Sequence, residues 1–370
     1  MRRIHSTNRM SRTVAGAGVL FLLLLPAARA VSDEMESSVV RVIVTSQGFD
    51  PFLPWQKTEP TVRAGYGYVI DSNRVLTVAQ LVRNSTLVEL QQSLSGEKYA
   101  ATVELSDQDA NLAILRIVNP ELMKRLVPLG LAAKVSRNSE VEVVQFNNTG
   151  GISRGRGKIV EMSVVDLPDG HGSVLAFTVL ADMNVNGQGA VVLQGGKVAG
   201  LIMWYDHNTR IGTLLPYPVL GHFIVDATQA KYRGFATAGF SWAPLVDPAE
   251  RRYLKIDTQP GGIVVLTVRS GTGAAKSLMP QDVILEWDGC AVDNLGFYLD
   301  GDFGRLALPY LIKGRRYPGD TVGVKIVRNG EVRTVQLQMT RRTDDQLLIP
   351  GNAAGEQAAG RSERSGNRWP

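Results

Sequence analysis

The sequence predicts a mainly β protein: two consecutive six-stranded units, then a smaller third β unit carrying two short helices. Three observations predict this. Short β-branched runs begin at Ser38 and continue almost to Met339. Gly, Asn, Asp and Ser break them at close intervals, the rhythm of small barrels and sandwiches rather than of βα alternation. With 370 residues, 44% hydrophobic and 20% charged, the chain has a globular composition that excludes a wholly disordered chain or a polytopic membrane protein.

Six strands are expected in the first unit, at Val39 to Val44, Gly67 to Ile70, Arg74 to Thr77, Leu87 to Leu90, Ala100 to Leu105 and Leu112 to Val118. A second six follow at Glu140 to Phe146, Gly157 to Met162, Val174 to Leu180, Gly189 to Leu193, Lys197 to Trp204 and Ile211 to Leu215. A helix over Leu220 to Thr228 closes this part, and Gln229 to Ala238 reads as a linker. In the third unit strands are expected at Gly262 to Val268, Asp282 to Trp287, Thr321 to Arg328 and Thr334 to Met339. The last two flank Asn329-Gly330, a type I′ turn signal that makes them a hairpin. The two helices fit at Ala274 to Leu278 and Phe303 to Ile312. From Arg341 the chain is predicted to be a disordered tail, because beyond Pro350 it holds no Val, Ile, Leu or Phe with which to build a core.

Charge position limits the partners. Lys and Arg number 40 against 35 Asp and Glu, a basic excess that at face value suits a nucleic acid. Residues 1–30 hold five of the arginines and no acid, so the remainder balances at 35 of each sign. Arg2, Arg3, Arg9 and Arg12, the apolar run Val14 to Leu25 and the small residues of Ala28-Arg29-Ala30 form a secretory signal cleaved after Ala30. The run is shorter than the ~18–20 residues needed to span a bilayer; an uncleaved leader would be the membrane-anchored alternative. An exported location follows, periplasmic or otherwise extracytoplasmic. No phosphate-cradling glycine loop and no basic-aromatic stripe is present, so no nucleic-acid partner is expected.

Cys290 is the only cysteine, which rules out an intramolecular disulfide. His171, His207 and His222 lie too far apart in sequence for a metal-ligand pattern, so neither a metal site nor a cofactor is expected. Each reads as a loop or core histidine. Asp300-Gly301-Asp302 is too short for an EF-hand-like loop and reads as a turn.

Several segments carry a resemblance through their order and spacing. They are Pro54-Trp55-Gln56, Gly65-Tyr66-Gly67-Tyr68-Val69-Ile70, Val75-Leu76-Thr77, Asn111-Leu112-Ala113-Ile114-Leu115, Lys197-Val198-Ala199-Gly200, Ile211-Gly212 with Pro216 and Pro218, and His222-Phe223-Ile224. The chain resembles the HtrA/DegP family, and within it the Deg-type branch, over Ser38 to Met339. The resemblance implies a trypsin-like double six-stranded β-barrel followed by a PDZ-like β-sandwich with two short helices. It implies a signal peptide at 1–30, a protease-type domain at 31–228, a linker at 229–238, a PDZ domain at 239–340 and a tail at 341–370.

The catalytic slots depart from the family's pattern. Gln80 stands where the family has its histidine, Asn111 where it has its aspartate, and Gln188 where it has its serine; a one-residue slip would put Gly187 in the last slot. Val174 to Phe240 contains neither Ser nor Cys, so the nucleophile is missing under either alignment. A carboxamide cannot take a proton near neutral pH as a general base must, and Asp107 and Asp109 fall on other strand phases. Losing one triad member costs on the order of 10⁴–10⁶ in turnover. No catalytic residue is therefore assigned, and the three polar side chains are expected to satisfy one another in the old cleft. Asn186, Gly187 and Gly189 form the remnant of the oxyanion loop, with Asn186 in a glycine slot whose left-handed backbone Asn could tolerate.

By resemblance, Gly239-Phe240-Ser241-Trp242 is the PDZ segment that takes a peptide as an added strand, although Phe240 and Trp242 suit an ordinary core equally well. The resemblance thus implies an inactive protease homologue, a pseudoprotease that binds peptides or unfolded protein C-termini as scaffold, regulator or chaperone-like holder. The alternatives are an endopeptidase with a non-standard site, to which Asp206-His207 could belong, or a non-catalytic subunit regulating an active paralogue. Oligomers are expected, either a homotrimer through Phe49, Phe52 and Trp55 or a mixed assembly with that paralogue.

Overall fold

The computed structural model describes residues 36–342 apart from 51, 54, 148 and 168–171. The predicted leader, His171 and the tail from 343 onward lie outside the described residues.

Strands β1 (Val39–Ser46), β2 (Thr61–Val69), β3 (Arg74–Val78), β4 (Ser85–Gln91), β5 (Lys98–Asp107) and β6 (Leu112–Ile117) close into a barrel in the order β1-β2-β3-β6-β5-β4. Closure is made by β1, which pairs with β2 on one side and β4 on the other. Strands β7 (Glu140–Phe146), β8 (Ile152–Asp166), β9 (Ser173–Ala181), β10 (Val191–Gln194), β11 (Lys197–Asp206) and β12 (Ile211–Pro216) close a second barrel. Its ring order, β7-β8-β9-β12-β11-β10, repeats that of the first. Closing both sheets removes their edges and turns one row of side chains per strand inward. Val40, Val42, Leu76, Ile114, Phe177 and Leu201 are among those at or near zero exposure.

Helices α1 (Ala79–Val82), α2 (Pro120–Arg125) and α3 (Tyr217–Ala227) accompany the barrels. The sequence anticipated only the last. Asn119 caps α2 by accepting from the amides of Glu121 and Leu122, and Pro120 at the first position suits a helix start. α1 is a single turn without a side-chain cap, too short to leave a periodic signal.

The third unit comprises β13 (Ala236–Thr237), β14 (Phe240–Pro244), α4 (Pro248–Tyr253), β15 (Ile263–Val268), α5 (Ala274–Ser277), β16 (Val283–Trp287), β17 (Cys290–Ala291), β18 (Phe297–Asp300), β19 (Gly304–Ala307), α6 (Leu308–Lys313), β20 (Thr321–Arg328), β21 (Glu331–Gln338) and β22 (Thr340–Arg341). Its main sheet runs β14-β15-β16-β20-β21, which leaves β14 at an edge. Asn329 and Gly330 both have positive φ, 56° and 89°, as a type I′ turn requires, and β20 and β21 pair around them.

Three expectations need correction here. The helix predicted over Phe303 to Ile312 begins only at Leu308, because a helix from Phe303 would place Pro309 in its interior, where the ring clashes with the preceding turn. Residues 304–307 form a strand instead, paired with β18. The predicted linker is folded structure: Phe235 and Ala236 are buried, and Ala236–Thr237 pairs with Thr340–Arg341. Arg341, assigned to the tail, therefore belongs to the fold.

The third unit packs directly on the second barrel. Phe303 lies 5.5 Å from Phe177 and 6.5 Å from Tyr217 between ring centroids, and one buried apolar cluster runs from Val39 to Met339. A smaller cluster of Leu245, Ile256, Val264, Val283, Leu285 and Val327 fills the other face of the third sheet.

Candidate functional site

The two barrels meet at the turn that carries Gln80. It sits on α1, directly after β3, and faces Asn111 at the turn entering β6. Asn111 is 4% exposed and has φ of 53°, a left-handed position that Asn accepts more readily than most residues. Its carbonyl accepts from the amide of Ala79 at 3.0 Å, so backbone and side chain both grip α1.

The contacts between the two residues are reciprocal, one from the Gln80 backbone and one between side chains. The Gln80 amide donates to Asn111 Oδ1 at 2.9 Å, Asn111 Nδ2 donates to Gln80 Oε1 at 3.1 Å, and Gln80 Nε2 donates to the Met203 carbonyl on β11 at 2.9 Å. Each carboxamide is thereby fixed in orientation, with its oxygen facing a donor and the Gln80 nitrogen facing an acceptor. Neither residue can exchange a proton near neutral pH.

This polarity yields a test. Asn111→Asp alone would replace an N–H···O contact with two opposed oxygens, and turning the Gln80 amide would strip the Met203 carbonyl of its donor. The variant is expected to lose about 1–3 kcal/mol of stability, read by urea unfolding near neutral pH. Adding Gln80→His supplies a ring N–H to the new carboxylate and is expected to recover most of that loss; equal stability of the single variant and the wild type would refute the pairing.

Gln188 lies on the loop between β9 and β10. Its carbonyl accepts from the Tyr66 amide at 2.8 Å, and Gly65 and Gln188 form an isolated parallel bridge joining the barrels. A Cβ at Gly65 would sit 2.5 Å from that carbonyl, so glycine is required for the approach. Gln188 is held through its backbone, and no hydrogen bond joins its side chain to Gln80 or Asn111. The expectation that all three side chains satisfy one another therefore holds for two of them.

The loop takes its left-handed turns at Gly187 and Gly189, with φ of 118° and 79°. Asn186 does not adopt the left-handed backbone considered for it. Its amide donates to Gln145 Oε1 at 2.7 Å, and its carbonyl accepts from the Tyr66 hydroxyl at 2.7 Å. Gln145, 2% exposed, also donates through Nε2 to the Asn184 carbonyl at 2.8 Å. Tyr66 stacks on Phe146 at 5.9 Å. The loop is thus laced to β2 and β7, and the Asn186 amide is already engaged. Sequence reasoning missed Gln145; its signal was a lone polar residue inside the apolar run Val143-Val144-Gln145-Phe146.

The other candidates separate. Asp107 is buried and faces the third unit, accepting from the Tyr232 hydroxyl at 2.7 Å with Arg341 at 3.5 Å. Burial and the neighbouring Asp109 push its carboxyl up from the usual range. Asp206 and His207 occupy the exposed hairpin tip between β11 and β12, where Asp206 accepts from the Asn208 amide and the Thr209 hydroxyl. Those two bonds hold its carboxyl below the usual range. Cys290 is half-buried beside the Asp288-Gly289 turn. Phe49, Phe52 and Trp55 are 43%, 90% and 80% exposed.

Gly239 to Trp242 lie along the edge strand and the turn before it. Gly239 has φ of 70° and packs against Thr272, where a Cβ would come within 2.6 Å of the hydroxyl. A cavity of about 320 Å³ opens between β14 and α6, walled by Phe240, Trp242, Pro309 and Ile312. Gly239 and Ser241 do not line it; the Ser241 hydroxyl bonds Thr267 at 2.6 Å. Phe240 also stacks near Trp287 at 5.8 Å, so it serves both core and cavity.

No protein-family model matches the chain. Among curated proteins, it is 28% identical over 327 residues to Protease Do-like 2, chloroplastic, of Arabidopsis thaliana, covering 87% of this chain and 53% of that one. It is 26% identical over 299 residues to Protease Do-like 4, mitochondrial, of the same plant, covering 80% and 57%. The chain spans between 51% and 66% of the length of the first curated relatives it matches. Among solved structures, HtrA-type protease AlgW with decapeptide superposes with a TM-score of 0.62 at 19% identity, over 85% of this chain and 98% of the other. The serine endoprotease from Yersinia pestis gives 0.55 at 15% identity, over 85% and 98%. The fold and the sequence relationship converge: the chain is similar in sequence to Do-like proteases and shares the fold of HtrA-type proteases.

Proposed function

We propose that this chain is an exported HtrA-type pseudoprotease that binds polypeptide segments without cleaving them. The observation that carries the reading is the interlocked Gln80–Asn111 pair, two neutral side chains at the positions where the family resemblance calls for base and orienting acid. With Gln188 at the nucleophile position and the Asn186 amide bonded to Gln145, base, nucleophile and one oxyanion donor are all absent from the cleft in working form. Acyl transfer needs these as a unit.

Binding falls to the third unit, read as a PDZ domain over 239–340 behind a protease-type domain over 31–228. Edge strand β14 presents backbone groups to an added strand, and the cavity beside it takes side chains. HtrA-type structural neighbours were solved with a decapeptide, which supports a peptide as ligand. Export rests on the predicted leader at residues 1–30, and the plant relatives carry organellar names. Phe49, Phe52 and Trp55 form the exposed apolar surface proposed for association, as a homotrimer or with an active relative.

Incubation of the purified full chain with a fluorescent unfolded protein tests the reading. No cleavage above the buffer background is expected, alongside saturable binding of the uncleaved substrate. Turnover that persists in the Gln188→Ala variant would overturn it and point to an endopeptidase with a different constellation.

A further inference from the structure

The loop that carries Gln188 is tied to β11 at two places. At one end the Gly189 amide donates to the Ile202 carbonyl at 2.8 Å, and the Ile202 amide donates to the Ala190 carbonyl at 2.9 Å. At the other end the tie is a side chain: the Tyr205 hydroxyl donates to the Met183 carbonyl at 2.6 Å. Residues 183–189 and 202–205 therefore bound one closed ring of chain, with the Gln188 position on it. The phenol of Tyr205 crosses the interior of that ring, since it has to reach from β11 to the loop to make its bond.

The floor beneath Tyr205 is bare. Tyr205 pairs with Gly212 on β12, and residues directly opposite in an antiparallel ladder project from the same face. A Cβ at Gly212 would lie 3.4 Å from Tyr205 Cδ2 and 3.0 Å from Val179 Cγ1, so the phenol ring rests on the space beside the missing side chain. The exposed His207 meets the same ring edge-on, with centroids 5.2 Å apart. An enclosure walled by a loop, floored by glycine and set beside the nucleophile position is shaped to hold a side chain. Here it holds one of the chain's own.

We propose that Tyr205 is an internal plug: it fills the side-chain pocket beside Gln188, so the old cleft admits no bulky residue of a bound polypeptide. With the plug removed, the pocket takes an aromatic or large aliphatic side chain, the chemistry that the phenol ring now supplies. An incoming residue would have to displace both the packed ring and its hydrogen bond to Met183. Polypeptide binding is thereby left to the third unit. This inference rests on the reading of positions 80, 111 and 188 as a former catalytic site.

The test opens the pocket with Tyr205→Ala in the full chain and offers 4-methylphenol, which is the tyrosine side chain alone, as the probe. The urea midpoint of the variant is expected to rise saturably with the probe while that of the wild type stays flat. Toluene, which cannot donate to the Met183 carbonyl, is expected to give a smaller rise. Tyr205→Leu with phenol carries the same comparison if Tyr205→Ala fails to fold. Equal responses of variant and wild type overturn the plug. A second measurement, fluorescence anisotropy, compares an amidated labelled peptide bearing one central Phe with its Gly counterpart. The opened variant is expected to bind the Phe peptide about tenfold more tightly than the wild type does, with 4-methylphenol displacing it, and the Gly peptide is expected to bind both chains alike. The third unit is the same in both chains, so its contribution cancels. Equal binding of the Phe peptide without cleavage overturns the plug alone; cleavage of that peptide by the wild type overturns the plug and the pseudoprotease reading together.

Discussion

Gln80→His, Asn111→Asp and Gln188→Ser introduced together are expected to give only feeble hydrolysis, and adding Gln145→Met is expected to raise it by about 10²–10³. The first three restore a base, a carboxylate to orient it and a hydroxyl nucleophile. The carboxylate at 111 keeps the bond from the amide of residue 80 and gains a ring N–H in place of the present carboxamide contact. The family resemblance implies that the backbone amides at 186 and 188 stand in the oxyanion-donor positions, and the Asn186 amide is spent on Gln145 Oε1 at 2.7 Å. An oxyanion formed in the repaired site would meet one donor rather than two. Methionine at 145 has a similar length and no strong acceptor, so it frees the amide while filling the buried space. The readout is turnover of an activated ester, with the wild type and each single variant as baselines. Equal rates in the triple and quadruple variants would remove Gln145 from the account.

The departures from the family pattern proposed at 80, 111 and 188 are legible in sequence because each slot sits in a local context that matches the resemblance: Leu76-Thr77 before Gln80, Leu112-Ala113 after Asn111, and Gly187 and Gly189 around Gln188. The long-range contacts of these residues are not. Gln145 meets Asn186 across 41 positions of chain, and Gln80 meets the Met203 carbonyl across 123; no local pattern encodes such partners. Strand content was legible for the same reason as the turn at Asn329-Gly330, since β-branched runs and positive-φ residues act within a few positions. The helix expected over Phe303 to Ile312 starts only at Leu308 because Pro309 is tolerated in a first turn and not in a helix interior.

The third unit is held to the second barrel by a buried acid and a stack of rings. Asp226, 1% exposed at the end of α3, accepts from the amides of Arg233 and Gly234 at 2.8 Å each and from Arg233 Nε at 2.9 Å. That guanidinium lies 3.8 Å over the ring of Tyr317 and has Asp320 at 3.9 Å. Tyr317 in turn stacks on His222 at 3.9 Å between centroids and donates its hydroxyl to the His222 carbonyl at 3.1 Å. The chain from α3 to the turn before β20 is therefore one contact sequence, with His222 at its centre.

Acidification is expected to weaken this seam through His222, by up to about 3 kcal/mol between pH 6.5 and pH 4. The imidazole is enclosed by Tyr317 and by Phe235 at 4.7 Å, and its Nε2 is buried without a hydrogen-bond partner. Burial, the largest influence, pushes its pKa down to about 4 from an ordinary 6.5; Asp226 and Asp320 oppose the shift and Arg233 adds to it. The sign follows from proton counts. Between pH 6.5 and 4 the unfolded chain binds a proton at this site and the folded chain does not, so stability is full above 6.5 and falls as the pH drops towards 4. Below that both states are protonated and the loss stops growing. His222→Phe keeps a ring in the stack and removes the titration. Urea midpoints of wild type and variant, measured across this range, are expected to separate steadily from pH 6.5 down to 4 in favour of the variant, relative to their difference at pH 8. The carboxylates that titrate in the same range act on both chains alike, so they cancel in that difference; parallel curves would show that the seam does not sense protons through His222.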